Sequence, residues 1–201
     1  MALTKNVRAF INHVKGHCKE VGIKCQIRPV KYLVLSGNIR CSGYFCEETM
    51  KLVVAGKSKD WLGVLAHEYA HLTQWQDKST NIWQTGSTGV THLDDWLGGK
   101  KIRSIKKAIE WSRDLELDNE KRTVKLIKKW KLPIDLNDYI KKANAYIQFY
   151  NWMRYSKRWS SPGNAPYGNK AIYEAMPPNF RMNYKKMSDK YMKLYLSLIH
   201  I

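Results

Sequence analysis

Apolar residues recur near the N-terminus at Val7, Phe10, Ile11 and Val14, three and four apart, which predicts a helix over residues 3–20 ending near Gly22. The period then shortens. Ile27 to Leu35, rich in Val, Leu and Tyr, reads as a strand, Ser36-Gly37-Asn38 as a turn, Ile39 to Phe45 as the returning strand and Leu52-Val53-Val54 as a third. Gly56 breaks the strand, Ser58 is the expected N-cap, and a helix is predicted from Lys59 to Gln76. Residues 77–99 hold Gly86, Gly89, Gly98 and Gly99 among Ser and Thr and read as a long loop. A long helix follows from Lys100 to Trp130, stopped by Pro133. Asp135 caps the next, whose stripe is Leu136, Tyr139, Ile140, Ala143, Tyr146, Ile147 and Tyr150. Residues 156–180, with Pro162, Gly163, Pro166, Gly168, Pro177 and Pro178, are expected to lack regular structure, and a terminal helix spans Tyr184 to Leu198. This is an α+β pattern: a small sheet and a helix within 24–76, then a helical part over 100–199, in one domain covering 1–201.

Composition narrows the class. The chain has 201 residues, enough for one substantial core. It has no run of eighteen apolar residues, and charges at Lys5, Arg8, Lys15 and Lys19 stand where a secretory signal would be apolar. The expectation is a soluble, cytoplasmic protein, in the host cytoplasm if viral. Cys18, Cys25, Cys41 and Cys46 match neither a zinc ribbon nor a C-x-x-C pair, so reduced thiols are expected, with a second metal site involving His13 or His17 as the alternative. The net charge of +18 is uneven: +7 over residues 1–60, −2 over 61–120 and +13 over 121–201. Basic ends of this kind attract nucleic acid or another polyanion, or are simply a solvated lysine-rich surface.

The chemistry concentrates in Val64-Leu65-Ala66-His67-Glu68-Tyr69-Ala70-His71-Leu72. Residues four apart on a helix lie about 40° apart, so His67 and His71 can close on one zinc ion while Glu68 lies beside the open position. Zinc needs a third protein ligand. On the next long helix, Glu116 falls in phase with Ile102, Ile109, Thr123 and Trp130, where an apolar residue is expected, and a carboxylate buried there implies a cation nearby. Asp118 is rotated about 200° away, onto the face of Lys107, Lys125 and Lys129. Glu120, one turn beyond Glu116, could reach either the zinc or the outer N–H of a ligand histidine. A competing third ligand is His92, in Thr91-His92-Leu93-Asp94-Asp95.

Ser112-Arg113-x-x-Glu116-x-x-x-Glu120 after H-E-x-x-H resembles the second motif of glutamate-type zincins of the integral-membrane HtpX kind, where S-R-x-x-E-x-x-x-D supplies the third ligand and a carboxylate behind it. The resemblance implies that Glu116 is the ligand and that Glu120 stands in place of the family's Asp. It covers about fifteen residues and not the membrane spans. In size the chain looks like the small metallopeptidase-like proteins of tailed phages. A histidine ligand at His92 would instead resemble the SprT and Spartan proteases, which act on proteins crosslinked to DNA.

Together these features predict a zincin-like α+β domain, a small, mostly antiparallel sheet packed on the H-E-x-x-H helix with a helical C-terminal half. The expected activity is that of a zinc-dependent metallopeptidase acting on a protein or peptide. One Zn2+ would be held by His67, His71 and Glu116, with Glu68 as general base. Tyr150, Tyr155 and His92 could each donate to a developing oxyanion. A peptide would add to an exposed strand edge, in 39–46 or 50–55. Trp75, Trp83 and Trp96 are core residues or line the cleft. The terminal stripe of Tyr184, Met187, Tyr191, Leu194 and Leu198 packs on the domain, or else rests with its lysines on a polyanion or membrane. The rival class is a nucleic-acid-associated binding protein with a structural zinc site.

Overall fold

Thr4 opens helix α1 (Lys5–Glu20) by accepting the Val7 N–H at 3.3 Å on its hydroxyl, and Val7, Phe10, Ile11, Val14 and Cys18 form the buried stripe. The computed structural model describes residues 3–160 and 165–198. The chain is mixed α+β and about 60% helical, with seven α-helices among those residues. It divides into two compact units, Met1–Asp77 with Arg122–Ile134, and Lys78–Lys121 with Asp135–Ile201.

In the first unit, Gly22 (φ +75°) turns the chain out of α1 into β1 (Lys24–Arg28). The strand expected over 27–35 is shorter and earlier because Pro29 has no N–H to continue the ladder. After it, β2 (Leu33–Val34) pairs antiparallel with β3 (Arg40–Cys41) across the turn at 36–38, where Gly37 and Asn38 both take positive φ. The returning segment then leaves for another sheet at Ser42. There β4 (Gly43–Cys46) runs antiparallel to β5 (Lys51–Ala55), and β1 runs parallel to β5 on its other side. The order is β1-β5-β4, so the main sheet is mixed rather than mostly antiparallel. Leu52, Val53, Val54 and Ala55 of the central strand are fully buried, which is why they read as an unbroken apolar run.

Helix α2 (Trp61–Gln76) packs on β4 and β5. Its cap residue is Asp60, not Ser58, and makes no side-chain capping bond. At its other end Asp77 forms an ion pair with Arg122 at 2.6 Å. Arg122 belongs to α4 (Ile105–Trp130), whose last turn places Trp130 5.9 Å from Phe10, ring to ring. Lys131 (φ +47°) and a Leu132 N–H to Ile127 carbonyl bond close that helix before Pro133.

In the second unit, residues expected as a loop form α3 (Ile82–Leu97). Its glycines mark close approach, not a break. A Cβ on Gly86 would lie 2.6 Å from Leu115 Cβ, and one on Gly89 2.8 Å from the Ala108 carbonyl oxygen, so α3 needs bare backbone to sit against α4. The hydroxyls of Thr85, Thr88 and Thr91 bond back to carbonyls four residues earlier, at 2.8–3.1 Å, and so stay within the helix. Helix α4 begins at Ile105 rather than 100. Helix α5 (Leu136–Ser156) is capped by Asp135, which accepts from the N–H groups of Asn137 and Asp138.

The segment 156–180 is more regular than expected, with a 3-10 turn at Pro166–Gly168 and α6 (Lys170–Glu174); Pro162 and Gly163 lie outside the described residues. From 177 to 184 the chain is irregular yet held. Asn144 donates to the carbonyls of Pro177 and Asn179 and accepts from the Tyr184 hydroxyl, Gln148 donates to the Asn183 carbonyl, and Asn151 to that of Tyr184. Three amides one helical turn apart thus satisfy backbone groups that no strand or helix pairs. The last helix, α7, is shorter than expected, Asp189–Leu198. Met187 and Tyr195 are buried in the core of this unit, with Tyr191 and Leu194 against it, while Lys185, Lys186, Lys190 and Lys193 face solvent. Met187, Tyr191 and Leu194 of the apolar stripe are therefore occupied by packing, while the Leu198 side chain lies outside the described ones.

Asn144→Ala removes three hydrogen bonds at once and strands buried partners. We expect a loss of about 3 kcal/mol in stability, read as a lower urea midpoint at unchanged slope.

Candidate metal centre

Helix α2 puts His67 and His71 one turn apart, ring centroids 4.8 Å from each other at 86°. Both are partly exposed, whereas Glu68 between them is only 8% exposed. The Nδ1 of His71 lies 2.8 Å from the Oε1 of Gln74, a fully buried side chain. An amide oxygen only accepts, so Nδ1 carries the proton and Nε2 keeps its lone pair for an ion. Gln74 was not among the residues singled out from sequence. Its signal was available: it lies three residues after His71, on the same helical face.

Glu116 is buried, 8% exposed, at the position of α4 where periodicity calls for an apolar side chain. One ligand atom from each of His67, His71 and Glu116 lies within 4.8 Å of the others, close enough for the three to hold a metal ion. The donor set, two imidazoles and a carboxylate, suits a tetrahedral divalent ion with one position left open. Glu120 and His92 are not in the group. Glu120 accepts from the Tyr139 hydroxyl at 2.6 Å, His92 is half-buried on α3, and Asp118 is half-buried rather than fully turned to solvent.

The residues before Glu116 anchor its helix. Ser112 bonds back to the Ala108 carbonyl at 3.0 Å. Arg113, 2% exposed, donates to Asp114 at 2.8 and 2.9 Å and to Asn151 of α5 at 3.3 Å. Nearby on α5 the hydroxyls of Tyr146 and Tyr150 are 3.0 Å apart. Burial, and next the charge of Glu116, push both phenols well above their ordinary range, so each keeps its proton as a potential donor. Tyr155 is 62% exposed.

The open edge of the sheet passes beside Glu68. A Cβ on Gly43 would fall 2.5 Å from Val64 Cγ1 and 3.1 Å from Glu68 Cγ, so only glycine lets β4 run this close to α2. Of the two segments expected to offer an edge, 50–55 is central and 43–46 is the edge. Burial raises the Cys41 thiol pKa, and the negative charge of Glu68 adds to the shift. Trp75 packs its ring 5.9 Å from Phe45 of β4, Trp96 packs on the core of the second unit, and Trp83 is half-buried.

No family model, curated protein or solved structure matches the chain. Among the described residues no helix is long and apolar enough to cross a membrane.

Replacing Gln74 by Leu frees the His71 ring to rotate and to change tautomer. Metal affinity should fall about 10- to 100-fold with both histidines intact, measured by competition with a chromophoric chelator.

Proposed function

We propose that the chain is a zinc-dependent metallopeptidase of zincin-like architecture, hydrolysing peptide bonds in a protein or peptide substrate. The observation that carries this reading is the convergence of His67, His71 and Glu116 within 4.8 Å, with Glu68 beside them on the same helix. His67, His71 and Glu116 would hold one Zn2+, which when bound lowers the pKa of a coordinated water to about 7 and polarises a carbonyl.

The protein's own part begins with Glu68. Its carboxylate takes the proton of the attacking water and delivers it to the leaving amine, so one group serves as base and then acid. Gln74 fixes the His71 tautomer throughout. Tyr150 supplies a protonated hydroxyl for the developing oxyanion; the exposure of Tyr155 makes it the weaker choice. Main-chain groups on the outer side of β4 take an extended peptide as a further strand, which brings the scissile bond toward Glu68. Four free cysteines fit a reducing, cytoplasmic compartment.

Bound zinc after exhaustive dialysis tests the centre: one per chain natively, a large loss in Glu116→Gln, and retention in Glu68→Gln. Hydrolysis of a broad peptide library should fall about 10²- to 10⁴-fold in Glu68→Gln. A fully zinc-loaded native protein that cleaves nothing, with Glu68→Gln behaving identically, would sink the peptidase reading. In Tyr150→Phe, kcat should drop about 10²-fold at nearly constant KM.

A further inference from the structure

Helix α1 carries a second pair of histidines four residues apart, His13 and His17, with Glu20 one turn further on the same face. These three side chains, with Gly16 and Tyr69, line an open cavity of ≈ 370 Å³. Two ring nitrogens converge there on one point. His17 Nδ1 is 2.8 Å and His13 Nε2 3.0 Å from the Tyr69 hydroxyl oxygen. A hydroxyl has a single proton to donate, so when both rings are neutral one accepts it and the other must present an N–H. We propose that His13, His17 and Glu20 form a separate binding site for a divalent transition-metal ion of the zinc, nickel or copper class.

Two observations support it. Imidazoles at i and i+4 on a helix can share one ion, and here two ring nitrogens already lie within 3.0 Å of one point in a cavity whose lining includes the exposed Glu20 carboxylate. His17 and Glu20 occupy the last turn of α1, where the negative end of the helix dipole favours a cation. The ion displaces the Tyr69 hydroxyl from both nitrogens and leaves it to water in the open cavity. Cys18, the cysteine on this helix, is a buried free thiol and takes no part.

The site differs from the one on α2 in drawing all its donors from one helix, and it is independent of the peptidase reading. Its test uses Ni2+ alone, titrated calorimetrically into exhaustively dialysed native protein, freed of exchangeable zinc, and into a His13→Ala/His17→Ala variant treated alike whose fold is checked by circular dichroism. The native chain should bind one more Ni2+ than the variant, and Glu20→Gln should bind that ion at least several-fold more weakly. Equal stoichiometry and affinity in native and double-variant protein would overturn the proposal, as would an unchanged affinity in Glu20→Gln. Failure of the centre at His67, His71 and Glu116 to hold zinc would change both counts alike and leave the difference intact.

Discussion

A carboxylate held where helix packing calls for an apolar side chain is the constraint on which the rest of this structure turns. Removing Glu116 from water costs several kcal/mol unless positive charge or hydrogen-bond donors meet it. Its neighbours on α4 repeat the demand: Ser112, Arg113, Asn119, Glu120 and Thr123 are all buried. Each polar group needs a partner: Ser112 finds one in the Ala108 carbonyl of its own helix, Arg113 in Asn151 and Glu120 in Tyr139. A face so composed makes a poor hydrophobic core and a good ligand scaffold. An ion at His67, His71 and Glu116 would then contribute to the stability of the folded chain as well as to its chemistry, because binding free energy at such a site is folding free energy.

The second requirement falls on α2, which must serve three surfaces at once. Its apolar residues Leu65, Ala66, Ala70 and Leu72 are buried, Val64 and Glu68 meet β4, His67 and His71 belong to the group that could hold an ion, and Tyr69 reaches α1. Glu68 is fixed by the packing of a strand rather than by a flexible loop, since β4 approaches through a glycine. A carboxylate positioned on a helix and backed by a sheet would lose little freedom on meeting a substrate, which is what the proposed general-base role needs.

Much of this was legible because it is local. The stripe of α1, the H-E-x-x-H spacing, the phase of Glu116 and the Asp135 cap depend on residues within a few turns of one another. Other features failed to show because their cause lies elsewhere in the chain. Gly86 and Gly89 resemble loop residues until Leu115 and Ala108 are seen against them. The segment 177–184 looks featureless until the amides of Asn144, Gln148 and Asn151 supply its hydrogen bonds. The early end of β1 was readable, since Pro29 stood in the expected strand. Glycine and proline thus need opposite treatment here: proline kept its local meaning, and glycine took its meaning from the neighbouring helix.

The two histidine pairs show how little of a metal site lies in the pair itself. His67 and His71 share their spacing with His13 and His17, so the spacing cannot account for a difference in how tightly each would hold an ion. The difference must come from what completes the set. On α2 the third donor is a buried glutamate from a distant helix, and a buried glutamine fixes one ring, so the donors are largely organised before an ion arrives. On α1 the third donor is an exposed glutamate on the same helix, and a hydroxyl already occupies the converging nitrogens. Preorganisation favours retention, whereas an exposed and competed set favours exchange. By that argument the α2 centre is suited to a resident ion and the α1 cavity to one that comes and goes with its concentration.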